Sequence, residues 1–207
     1  MTFNEVKDLI VEECDTHGVI FFHADSKTIK FETSELNGLF TSGYYDNDDF
    51  IDMPILAVGT NDHTLETMIH EYCHMKQYLE GFQPFLDCNE YNFIWEWVNK
   101  NPLTDQIPED IINDAFGTFY EMELDAEKRS IELHIEWDTG IDIEEYIQKA
   151  NAYTTFYLYV RENRSWYKPG QEPYNLEEVW KMMPKTFDFD VLEWYITHHK
   201  LFDLCVG

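Results

Sequence analysis

The sequence predicts an α+β fold, and three observations carry that prediction. Short segments of strand character fall early in the chain, every later periodic segment repeats its apolar residues at helical spacing, and strands do not alternate with helices as in a parallel α/β sheet. The 207 residues suit one ordinary domain, or one domain with an extension. Hydrophobic residues make up 44% and aromatics 16%, enough for a sizeable core.

The elements follow in order. Residues 3–14 set Phe3, Val6, Leu9 and Ile10 at helical spacing, and Gly18 follows as a stop signal. Strand character marks 19–23, 28–32, 38–45 and 53–58. The separators are Asp25-Ser26-Lys27, the polar stretch 34–37 and the acidic tract 46–49. From Asp62, a plausible N-cap, the pattern turns helical over about 62–80, 90–99, 108–137, 142–162, 175–183 and 189–200. Breaks fall at 81–84, Pro102, Gly140, Pro169-Gly170 and Pro184. The expected organisation is a core over 1–137 and a C-terminal helical extension over 138–207 packed on it.

Charge narrows the function classes. Fourteen Lys and Arg stand against 41 Asp and Glu, a formal charge of −27. Nucleic-acid phosphates and anionic membranes both call for Lys/Arg patches, so neither is an expected partner. The four cysteines, Cys14, Cys73, Cys88 and Cys205, have no CxxC spacing and suit reduced thiols. The N-terminus carries no basic and then apolar leader pattern, and no apolar run reaches membrane-spanning length. A cytoplasmic setting is the expectation.

One pentapeptide carries chemistry: His70-Glu71-Tyr72-Cys73-His74, an H-E-x-x-H. On a helix His70 and His74 stand about 40° apart, while Leu65, Met68, Tyr72, Met75 and Leu79 fall on the opposite side. Two imidazoles at i and i+4 supply two nitrogens to one zinc ion. Glu71, offset by about 100°, reaches a metal-bound water rather than the metal and acts as general base. The bland alternative is two surface histidines on an ordinary amphipathic helix.

A catalytic zinc needs a third protein ligand and an open position. On the helix over 108–137, Glu123 shares its face with Phe116, Phe119, Ala126, Glu127 and Ser130. A carboxylate on so apolar a stripe is costly unless a positive charge compensates it. The small Ala126 and Ser130 also let a second helix come close. Glu127, one turn on, is the other candidate ligand, or a partner that orients a ligating imidazole.

H-E-x-x-H followed some fifty residues later by Glu123-Leu124-Asp125-Ala126-Glu127, an E-x-x-A-[D/E] pattern, resembles the short gluzincin metallopeptidases, loosely those of ImmA/IrrE type. The resemblance covers about residues 1–137 and extends to the order helix, strands, metal helix, glutamate helix. It implies a zincin-like fold, His70, His74 and Glu123 as zinc ligands, Glu71 as catalytic base, and a protein or peptide substrate. It also implies that strand 53–58 is the sheet edge that pairs with extended substrate.

Other residues weigh less. Cys73 is a fourth thiolate ligand or, more in keeping with its type, a small buried hydrophobe. His134 shares the Glu123 face but lies about 16 Å along the axis. His198-His199 face apart on a helix and read as surface. Tyr120, Tyr153, Tyr157, Arg161 and Arg164 are the options for an oxyanion donor. The run from Arg161 to Lys168 concentrates three cations, a substrate clamp or internal counter-charges. Tyr91, Phe93, Trp95 and Trp97 suit core or a packed flap. The expected function is a zinc metallopeptidase. The alternatives are an acidic binding or inhibitory protein that mimics nucleic acid, with a structural or vestigial zinc site, and a non-proteolytic zinc hydrolase.

Overall fold

The computed structural model describes residues 1–31, 34–46, 49–51 and 53–207, with the side chains of 31, 34, 44–46 and 49–51 left aside. Its elements are α1 (Phe3–His17), β1 (Ile20–His23), β2 (Ile29–Phe31), β3 (Ser34–Leu36), β4 (Gly38–Thr41), β5 (Tyr44–Asp46), β6 (Asp49–Ile51), β7 (Ile55–Val58), α2 (Thr64–Glu80), α3 (Gln83–Asp87), α4 (Phe93–Val98), α5 (Glu109–Glu136), α6 (Ile143–Asn163), α7 (Glu177–Trp180), α8 (Val191–His198) and α9 (Asp203–Val206). The class is α+β, as the order of periodicities predicts. Among the described residues, no helix is long and apolar enough to cross a membrane.

The chain forms two compact units: Met1–Phe82 with Arg129–Gly140, and Gln83–Lys128 with Ile141–Gly207. Helix α5 is continuous through the division, so its last two turns belong to the first unit and the rest to the second.

In the first unit, α1 begins on a capping box. Thr2 N–H donates to Glu5 Oε2 at 2.7 Å, and Glu5 N–H donates back to Thr2 Oγ1 at 3.4 Å. The helix stops where Gly18 adopts φ 69°, a left-handed conformation that costs glycine little. The main sheet has the order β1-β7-β4, with β1 parallel and β4 antiparallel to β7. Strand β7 therefore lies in the middle, which corrects the expectation that 53–58 forms the substrate-pairing edge. Its residues Leu56, Ala57 and Val58 are buried, as a central strand requires. The edges are β1 and β4. Two antiparallel hairpins, β2-β3 and β5-β6, complete the described strands. Their second strands fall where the sequence suggests separators, at Ser34–Leu36 and beside the acidic tract; Glu32 and 47–48 lie outside the described residues.

Helix α2 packs on β4 and β7 and against α1. Met68, Ile69, Tyr72, Cys73, His74, Met75 and Gln77 are all buried, more of the circumference than the one flank expected. The last turns of α5 explain the excess: Ser130 Oγ donates to Cys73 Sγ at 3.4 Å, and Arg129 pairs with Glu80 at 2.6 Å. At the start of α2 the cap position falls to His63 rather than Asp62. Thr64 organises the turn, accepting from Asn61 N–H at 2.6 Å and donating to Gly59 O at 3.0 Å.

In the second unit α6 is the central helix. Fully buried Phe156 contacts the rings of Tyr159, Trp166, Tyr167 and Phe202 at 5.5–5.7 Å. Arg161, in the last turn of α6, and Arg164, just after it, pair with acidic side chains, as the counter-charge alternative expects. Arg161 holds Glu109 and Asn113, and Arg164 holds Asp105 and Trp97 O while lying 4.6 Å from the Trp97 ring. Lys168 donates to Gly207 O. The aromatic tract is packed: Trp95 meets Phe119 and Trp166, and Trp97 meets Phe116.

Candidate metal centre

Helical spacing brings His70 and His74 together on α2. Their Nε2 atoms stand 3.1 Å apart, with the rings edge to face at 4.7 Å. Two nitrogens bound about 2.05 Å from one tetrahedral ion would stand roughly 3.3 Å apart. The observed spacing is close to that value.

Gln77 sets the orientation of one ring. It is fully buried one turn beyond His74, and its Oε1 lies 2.8 Å from His74 Nδ1. The amide oxygen accepts only if His74 carries its proton on Nδ1, which leaves the Nε2 lone pair for a metal. Gln77 was missed in the sequence, although its i+3 spacing from His74 places it on a neighbouring face.

Glu123 is buried in an apolar stretch of α5, at 7% exposure, beside Phe116, Phe119 and Ala126. His70, His74 and Glu123 form a group that could hold a metal ion: one ligand atom from each lies within 4.8 Å of the other two. Among the described residues, Glu127 is not part of such a group, although it is equally buried. Cys73 is buried against Ser130 and stands outside it too, which agrees with its reading as a small hydrophobe. His134, at 2% exposure, holds Thr139 Oγ1 through Nδ1 at 2.7 Å.

The donor set fits a divalent ion of intermediate softness. Two imidazoles with one carboxylate suit zinc and neighbouring transition metals, whereas magnesium and calcium prefer all-oxygen sites. Three protein donors would leave a tetrahedral ion one open position.

Two features shape the surroundings. At Gly38, the first residue of β4, an added Cβ would stand 2.5 Å from Thr67 Cγ2 and 2.9 Å from Glu71 Cγ. Only glycine lets the strand come this close to the Glu71 side chain. Behind Glu123, Tyr157 Oη donates to its Oε1 at 3.4 Å, and Tyr153 Oη lies 3.2 Å from Tyr157 Oη. Burial first, and the Glu123 charge second, raise both tyrosine pKa values well above the ordinary one, so both stay protonated donors at neutral pH. Cys88 is pushed up to about 11, by burial and then by Glu123. Tyr120 instead lines a mostly apolar cavity of about 280 Å³ with Phe116, Gly117, Tyr157 and Leu158.

Comparison with protein families, curated proteins and solved structures gives no match. The class of site therefore rests on its own residues: a two-histidine, one-carboxylate group with a second glutamate beside it.

Proposed function

We propose that the protein is a zinc-dependent metallopeptidase acting on a protein or peptide substrate in the cytoplasm. The observation that carries this reading is the convergence of His70, His74 and Glu123, with Glu71 next to His70 on the same helix. Zinc held there supplies a Lewis acid and lowers the pKa of water toward neutrality. Glu71 takes the proton of the attacking water as general base and returns it to the leaving amine. Gln77 keeps the His74 proton on Nδ1 throughout. Extended substrate pairs with the edge strand β4, whose first residue, Gly38, abuts Glu71.

The test is a pair of measurements on wild type and Glu71→Gln. Elemental analysis should find close to one zinc per chain in both proteins. Only the wild type should cleave a mixed peptide library, with Glu71→Gln reduced about 10²–10⁴-fold. A wild type that takes up no zinc at micromolar concentration, or a Glu71→Gln protein that cleaves as fast, overturns the reading.

A further inference from the structure

Glu123 carries its carboxylate on a buried, apolar stretch of α5, where neighbouring side chains set the direction in which it points. Tyr157 is built to do that. Its ring stacks on Phe119, one turn before Glu123 on α5, at 6.4 Å and 10° between planes. Trp166 closes another side of the same ring, edge to face at 5.6 Å. At 3% exposure the ring has little room to swing, and its hydroxyl is delivered to Glu123 Oε1. One turn earlier on α6, Tyr153 places its hydroxyl 3.2 Å from that of Tyr157 and packs its own ring against Tyr174 at 5.9 Å. Phe119 thus holds Tyr157, and Tyr157 holds the carboxylate, all through side chains that α5 and α6 bring together.

We infer that Tyr157, braced by Tyr153, is a positioning residue that holds the Glu123 carboxylate in the orientation needed to ligate a metal ion. A ligating carboxylate whose partner donates to one oxygen is fixed in direction and favoured to bind through the other. Partners of this kind typically govern metal affinity by 10–100-fold. The inference rests on the metal-site reading above, and the test separates the two.

Zinc affinity is measured by competition with a chromophoric chelator for wild type, Tyr157→Phe and Tyr153→Phe. Cobalt is then substituted into each protein and its visible absorption recorded. Tyr157→Phe should bind zinc about 10-fold more weakly or worse and shift the cobalt bands, because the geometry of the ligand has changed. Tyr153→Phe, which keeps the bond to Glu123 and removes its brace, should lose roughly 2- to 5-fold. A purely packing role would lower the thermal midpoint and leave the cobalt spectrum of the folded protein unchanged. Wild-type zinc affinity and spectrum in Tyr157→Phe overturn the inference. If Tyr157→Phe does not fold, an unchanged affinity in Tyr153→Phe overturns it instead. A wild type that binds no zinc speaks against the metal site itself, before any variant is compared.

Discussion

Gly38 shows how one missing methyl group makes room for a neighbouring side chain, that of the proposed base Glu71. Strand β4 approaches α2 so closely at this point that any Cβ would overlap Thr67 and Glu71. Gly38→Ala must therefore turn the Glu71 side chain or push the strand away, while His70 and His74 lie outside the clash. On the proposed function, the expected outcome is near-normal zinc content with hydrolysis reduced about 10- to 100-fold, a part of the full contribution of a general base. Zinc analysis and peptide cleavage on the same preparation check it, and unimpaired cleavage would refute the close-approach argument. The grouping of His70, His74 and Glu123 was the most legible part of the sequence. His70, Glu71 and His74 are local in the chain, and helical spacing alone predicts their proximity. Glu123 stood out because a carboxylate among Phe116, Phe119 and Ala126 needs a reason. Tyr157 was visible only as one of several donors, since nothing in its sequence neighbourhood shows that its hydroxyl meets a carboxylate 34 positions earlier.

At the scale of elements, helices read well and sheet order did not. Apolar period distinguishes strand from helix but is blind to which strand pairs with which; the edge role of 53–58 is what the family resemblance implies, and the sheet order puts β7 in the centre instead. Strands β3 and β6 have only three residues each, too few for alternation to register against their polar content. Helix pairing is equally silent in sequence, and the α1–α2 contact illustrates it. Lys76 donates to Glu13 at 2.8 Å, and this bond is the main reason that the Glu13 pKa is lowered, with Tyr72 and His17 assisting. Because the folded pKa is depressed, the stabilisation is fully present above about pH 4.5 and is lost as pH falls through the folded value. Both side chains are about a third exposed, so the pair is worth only about 0.5 kcal/mol. Lys76→Met should thus be less stable than wild type by about that amount at pH 7, with the gap closing below pH 4. Denaturant melts at the two pH values measure it; a gap that widens in acid would reverse the sign.

The whole molecule carries a charge of −27, and its cations are largely committed to local pairs such as Arg129–Glu80, Lys149–Glu145 and Lys185–Glu144. What remains is mutual repulsion among acidic groups, which salt screens. Raising sodium chloride from low concentration to 0.5 M should stabilise the fold by about 1 kcal/mol, or roughly 2–4 °C in thermal midpoint. A midpoint that falls with salt would mean that the ion pairs outweigh the repulsion. The path of α5 has a consequence for the order in which the protein is made. The unit that carries α2 is not complete until Arg129–Gly140 has been synthesised, although its first part ends at Phe82. The intervening stretch belongs to a unit whose remaining residues begin only at Ile141. At about 5–20 residues per second, the apolar stripe of Phe116, Phe119 and Ala126 waits on the order of seconds for α6 to emerge. During that interval the nascent chain exposes this apolar stripe, a surface of the kind that ribosome-associated chaperones cover.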